Sequence, residues 1–272
     1  MPERVTCSIH DGVADVRFNR PDKLNALDAA MFDAIDDVGD ALGADRSVRA
    51  VVLSGEGRAF CAGLDVASFA AVAGVGSGSE GAGVAGALLG GRGEGRIANR
   101  VQRAAWIWQE IGVPVIAAVH GVAVGGGLQI ALGADLRFVA SDARLSVLEV
   151  RWGLIPDMTG TWVLPRLVGV DVAKELTWTG RMVGGPEALR LGLATRVSDE
   201  PRADALALAA ELAAKSPDAI RAAKALLGAS LARSAADQFV AESEMMGGLI
   251  GSPNQVEATT AWLEKRPARF AP

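Results

Sequence analysis

The sequence predicts an α/β protein with a mostly parallel sheet, crossover helices and a helical C-terminal region. Three observations predict this. Short β-branched runs, Val48 to Leu53 and Val113 to Val119, enclose a helical pattern from Ile97 to Ile111. Strand, helix and strand in that order read as parallel strands joined by a crossover. From Asp171 onward the apolar spacing is almost wholly helical. Half of the 272 residues are hydrophobic, which allows a sizeable core and argues against a disordered chain.

The elements follow in order. Val5 to Ile9 and Val13 to Phe18 flank His10-Asp11-Gly12, a hairpin with Asp-Gly at its turn. Asn19-Arg20-Pro21 ends it. Leu27, Met31, Ile35, Val38 and Leu42 recur at helical spacing, with Asp28 placed to cap the helix. Phe69 to Gly95 is nearly all Gly, Ala, Ser and Val and reads as a mobile surface loop or loose helix. Pro186, Pro201, Pro217 and Pro253 each mark a helix start. The division expected is a core domain over 1–195 and a helical region over 196–272.

Composition removes several function classes. The net charge is -5 and no long basic stripe is present, so nucleic acid is not an expected partner. The two cysteines, Cys7 and Cys61, make no disulfide framework and suit a reducing compartment, hence a cytoplasmic location. The start, MPERVTCSIH, lacks the apolar stretch of a signal peptide. The apolar run from Val113 to Leu132 is interrupted by His120, Gln129 and the glycines Gly125 to Gly127, so no membrane span is expected. The two histidines and two cysteines are too few for a convincing metal site. His10 sits at a hairpin turn and His120 has no clear acid partner in sequence, so neither makes a triad, and Cys61 has no surroundings that favour a thiolate.

Two glycine-containing turns carry the chemical signal. Arg58-Ala59-Phe60-Cys61-Ala62-Gly63-Leu64-Asp65 follows one strand, and His120 to Gly127 follows the next. Both fall at the C-terminal ends of parallel strands, where open α/β sheets bind ligands. Glycines let backbone amides approach a ligand without a Cβ in the way. If Gly126 opens a helix, its amide carries the positive end of the helix dipole. Two such amides can hold one developing oxyanion. Ordinary tight turns are the competing reading. No Gly-Lys-Ser/Thr follows, and no G-x-G-x-x-G opens a helix, so phosphate and dinucleotide loops are disfavoured. Two acids sit in apolar surroundings: Glu149 in LSVLEV and Asp157 in GLIPDMTG. Desolvation there raises a carboxyl pKa and suits it to proton transfer. The alternatives are a solvated surface acid at 149 and a helix N-cap at 157.

Taken together, these segments resemble the crotonase (enoyl-CoA hydratase/isomerase) superfamily along essentially the whole chain. Asn19 to Leu27 resembles its N-R-P-x-x-x-N-A-L opening, Phe60 to Asp65 its F-x-A-G-x-D turn, and Gly121 to Gly127 its G-x-x-x-G-G-G turn. Gly153-Leu154-Ile155-Pro156 and the tail Trp262-Leu263-Glu264-Lys265-Arg266 also match. The resemblance implies a crotonase-like fold of repeated ββα units with a C-terminal helical trimerisation region, assembled as a homotrimer or hexamer. It implies an acyl-CoA substrate, with coenzyme A entering as part of that substrate and no separate cofactor. By motif position, the amides of Leu64 and Gly126 would bind the thioester oxygen. Leu24, Ala26, Ala62 and Leu64, with Trp262 and Lys265 of the tail, would contact coenzyme A; a solvated helix end is the plainer reading of that tail.

The family's hydratases place two glutamates around a water. The second falls at Glu149 and the first at Gln129, which can hold a water but cannot exchange a proton as a carboxylate does. Double-bond isomerisation needs only one base. The spacing of Glu149 and Asp157 resembles the acid pair of dienoyl-CoA isomerases. Isomerisation of an enoyl-CoA or dienoyl-CoA is therefore expected ahead of 2-enoyl-CoA hydration, with a non-catalytic acyl-CoA binder as a third reading.

Overall fold

The computed structural model describes residues 3–65 and 91–272. Most of the small-residue segment read at Phe69 to Gly95 lies outside the described residues. The hairpin forms as expected: β1 (Val5–His10) pairs antiparallel with β2 (Val13–Phe18), from Val5 opposite Phe18 to His10 opposite Val13. Asp11 and Gly12 both take positive φ, 50° and 79°, which is what a tight two-residue hairpin turn requires.

Helix α1 (Ala29–Ala44) starts at Asp28, whose side chain accepts from the Met31 N–H at 2.9 Å. It leads into β3 (Ala50–Gly55), which pairs parallel with β2. Helix α2 (Arg100–Glu110) is shorter than the helical pattern that predicts it. Asn99 and Gln102 form a reciprocal capping box there, and that box sets the start. Strand β4 (Val115–Val119) pairs parallel with β3 and is followed by β5 (Val122–Val124) and α3 (Gly126–Gly133). Next come β6 (Leu136–Ala140), β7 (Arg144–Ser146), α4 (Gly160–Val168) and α5 (Val170–Thr179). Strand β8 (Val183–Gly184), α6 (Gly185–Leu191), β9 (Arg196–Ser198) and α7 (Pro201–Ala213) complete the packed part. Helices α8 (Pro217–Ala229), α9 (Ala235–Leu249) and α10 (Pro253–Leu263) end the chain, and the four prolines named above all sit in first turns.

The main sheet has the order β1-β2-β3-β4-β6-β9, and every pair except β1–β2 is parallel. Alternate residues of a strand face opposite sides. Val51, Leu53, Val115, Ala117 and Val119 thus join Met31, Ile35, Ile107 and Trp108 in the larger core. Ala50, Val52, Ile116, Ala118 and Phe138 face the other way, where Ala205 and Ala209 let α7 lie close against the sheet. Buried Arg103 of α2 bonds Asp36, Asp40 and Glu110, tying α2 to α1. A small second sheet has the order β5-β7-β8.

Among the described residues no helix is long and apolar enough to cross a membrane. The run from Val113 to Leu132 folds as β4, β5 and most of α3.

Candidate active site

Backbone pairing brings the two glycine turns together. The Phe60 N–H donates to His120 O at 2.9 Å, Cys61 N–H to Val122 O at 3.0 Å, and Val124 N–H to Cys61 O at 3.2 Å. On its other side the first turn meets residues 24–27: Ala62 N–H donates to Leu24 O and Leu27 N–H to Gly63 O, at 2.9 and 2.7 Å. Buried Asn25 holds that strip, accepting from the Arg20 N–H and donating to the carbonyls of Glu56 and Ala59. Three short strips therefore lie side by side.

The direction of two amides follows from this. In a trans peptide the C=O and the next N–H point opposite ways. Gly63 O is turned to Leu27, so the Leu64 N–H points away from that strip, towards the second turn. Gly125 O accepts from Gln129 N–H along the helix, so the Gly126 N–H points out of the N-terminus of α3. The turns nearly touch: a Cβ placed on Gly63 would lie 3.5 Å from the Gly126 nitrogen. Leu64 and Gly126 line one cavity of about 310 Å3.

The contact between the turns leaves no space at Gly127. A Cβ there would sit 2.2 Å from Cys61 O and 2.8 Å from Cys61 C, both backbone atoms that cannot step aside alone. Gly127→Ala is expected to destabilise the protein by about 1–3 kcal/mol or more, read as a lower melting temperature. Gly43→Ala in α1, where nothing lies within 4 Å, is the control and is expected to lose nothing. Equal melting temperatures for the two variants would contradict the close contact.

Glu149 opens a short 3-10 turn, Glu149–Trp152, just past β7. It is 8% exposed, so the surface-acid alternative does not hold. Its Oε1 accepts from Gln129 Nε2 at 2.6 Å. Its Oε2 is buried and makes no hydrogen bond of normal geometry among the described residues. Burial pushes the Glu149 pKa up, and the charge of Asp157 adds to this; the Gln129 bond and the nearby amides of Glu149 and Leu148 pull the other way without cancelling it.

Asp157 lines the same cavity. It is not a helix N-cap: α4 begins at Gly160, after Thr159 in the left-handed region. Its surroundings push its pKa up as well, through desolvation. The residue itself remains exposed to solvent.

Gln129, on α3 one turn past Gly126, is 2% exposed. Its Oε1 accepts from the N–H groups of Met158 and Gly160, both at 2.9 Å. Cys61 is buried, its thiol donates to Asn25 O, and burial pushes its pKa up to about 12, so it is no nucleophile. Among the described residues no group of His, Cys, Asp and Glu could hold a metal ion.

Of the residues assigned to coenzyme A by resemblance, Ala62 and Leu64 line the cavity. Leu24 and Ala26 lie on the adjoining strip. Trp262, 77% exposed, and Lys265 are at the far C-terminal end of the chain, outside this cavity. The sequence did not single out the apolar wall made by Phe32, Val101, Leu148, Trp152 and Met158. Phe32 and Val101 lie in helical stretches, but no spacing rule tells a cavity wall from a core.

The fold and this site define an α/β enzyme of the crotonase type. The family described as enoyl-CoA hydratase/isomerase matches residues 8–272. The chain belongs to the enoyl-CoA hydratase/isomerase family. It is 34% identical to a short-chain-enoyl-CoA hydratase of Clostridium acetobutylicum over 257 residues, covering 93% of this chain and 92% of that one. It is 33% identical over 208 residues to the mitochondrial Delta(3,5)-Delta(2,4)-dienoyl-CoA isomerase of Mus musculus, covering 75% of this chain and 62% of that one. The crystal structure of an enoyl-CoA hydratase from Bacillus anthracis superposes with a TM-score of 0.86 at 28% identity, covering 98% of each chain.

Proposed function

We propose that this enzyme moves a double bond within an enoyl-CoA or dienoyl-CoA, with Glu149 carrying the proton. The observation behind this reading is the pairing at Glu149. Its neighbour Gln129 cannot exchange a proton, whereas the second acid of the cavity, Asp157, can.

For a 3-enoyl thioester, the Glu149 carboxylate takes a proton from C2. The C–H electron pair moves towards the thioester carbonyl and gives an enolate. The Leu64 and Gly126 N–H groups receive the charge on the oxygen, an oxyanion hole in a largely apolar cavity. The electrons return as the C2=C3 bond forms, and C4 takes the proton back from Glu149. On a 3,5-dienoyl thioester the two acids divide the work: one, ionised, takes the proton from C2, and the other, protonated, gives one to C6 as the double bonds shift. Coenzyme A is part of the substrate, and no further cofactor enters any step.

The same reading makes the protein a homotrimer or hexamer. Phe239, Val240, Ile250 and Trp262 of the last helices are exposed in the single chain, a large apolar area for one molecule to leave in water. Trp262 and Lys265 then reach the coenzyme A of a neighbouring copy.

Hydration remains a second reading because relatives carry that name. Incubation with 3-enoyl, 3,5-dienoyl and 2-enoyl thioesters, followed by chromatographic separation of the isomers and mass spectrometry, separates the two. Turnover of a 3-enoyl or 3,5-dienoyl substrate without mass change is expected. A 2-enoyl substrate that gains the mass of water, with the other two untouched, would replace isomerisation by hydration. Binding without turnover of any would leave an acyl-CoA binder.

A further inference from the structure

Gln129 has an amide that can face only one way. Two backbone N–H groups, from Met158 and Gly160, point at its Oε1. An NH2 group in that place would set donor against donor, so the NH2 must face Glu149 Oε1. The carbonyl oxygen is thereby occupied inside the protein.

The side chain joins three pieces. It grows from α3, the helix whose first N–H, that of Gly126, points into the cavity. Its nitrogen holds the carboxylate of Glu149. Its oxygen holds the peptide between Asp157 and Met158, together with the first N–H of α4. Met158 packs back on α3: a Cβ on Gly126 would lie 2.7 Å from its Sδ.

We propose that Gln129 is a positioning residue that fixes Glu149 and the Asp157 peptide, as one unit, relative to the Gly126 N–H. It is not a water holder in this reading. A glutamate at this position would keep the acceptor for Met158 and Gly160 but would set a carboxylate oxygen against Glu149. Gln129 thus admits an ionised Glu149 where a second carboxylate would push for a shared proton. Asp157 is the charged group that acts on Glu149, and α3 brings no titratable side chain to the site. Arg151, on the same turn as Glu149, is exposed.

The catalytic weight of this arrangement rests on Glu149 being the base, but the arrangement is testable without turnover. Infrared titration follows the protonated carboxyl band that disappears in Glu149→Gln. Its midpoint is expected to move up by about one pH unit in Gln129→Met, because a donor to the charged form is lost. It should move up at least as far in Gln129→Glu, where the pair titrates in two steps. Hydrogen exchange over 157–160 supplies the second readout. Gln129→Met should lose protection at Met158 and Gly160, and Gln129→Glu should keep it.

A midpoint unmoved in a folded variant would overturn the proposal. So would unchanged exchange in Gln129→Met. If that variant does not fold, Gln129→Glu, which keeps the acceptor, decides through its midpoint. A wild-type protein that turns over no thioester would defeat the isomerase reading and leave these two readouts standing.

Discussion

Glu149→Gln is expected to lower turnover by about 10²–10⁴-fold, the usual contribution of a positioned proton-transfer group. The change is nearly isosteric, and a glutamine carbonyl still accepts from Gln129 Nε2, so the local bond survives. What disappears is the ability to take a proton. The same carboxylate fixes the pH dependence. Burial raises its pKa above the ordinary glutamate value of about 4.3. A base works only when ionised, so the wild-type rate falls as pH drops through that raised value. The slow residual rate of the glutamine variant has no such limb.

Stability runs the other way. A carboxyl whose folded pKa is raised favours folding below its unfolded pKa and loses that contribution as pH rises through the folded value. At neutral pH the amide removes this loss. Glu149→Gln should therefore melt at or above the wild-type temperature, which excludes unfolding as the cause of its inactivity. A variant that keeps its rate within tenfold would take Glu149 out of the chemistry.

The features legible in the sequence are those set by neighbours along the chain. Asp11-Gly12 announces its turn, Asp28 its cap, and four prolines their helix starts, because each acts on backbone within a few residues. The two glycine turns are legible for the same reason.

Features made by distant residues were not legible. Gln129 and Glu149 are 20 residues apart, and no periodicity reports that their side chains bond. The strands β7 and β8 are three and two residues long, too short for alternation to show. Helix α7 reads as one more C-terminal helix, and only coordinates show Ala205 and Ala209 covering the sheet. Asp157 has the composition of an N-cap, yet Thr159 takes the left-handed region, the Met158 and Gly160 N–H groups bond to Gln129, and the helix starts only at Gly160.

Gly126→Pro is expected to cost a further 10²–10³-fold in turnover beyond Gly126→Ala, the usual effect of one lost oxyanion donor. The pair is chosen to separate two effects. Both variants add a Cβ, which would meet Met158 Sδ at 2.7 Å and Leu27 Cδ1 at 3.1 Å. Those atoms belong to side chains that can shift, and the crowding at Cβ is common to both. Only proline removes the N–H, and its ring Cδ takes the hydrogen's place towards the cavity. The helix does not need that N–H, because Gly126 is its first residue, where proline is well tolerated. The proline variant should therefore melt close to the alanine variant while its rate falls well below. The lost donor should show in kcat, because the charge on the thioester oxygen grows as the enolate forms, and the ring carbon beside that oxygen should show in KM. The Leu64 N–H stays in place in both, so some stabilisation persists and the proline variant is expected to retain measurable activity. Were the two variants to turn over equally, the Gly126 amide would be a helix end and nothing more, and the enolate would have to find its donors elsewhere in the cavity.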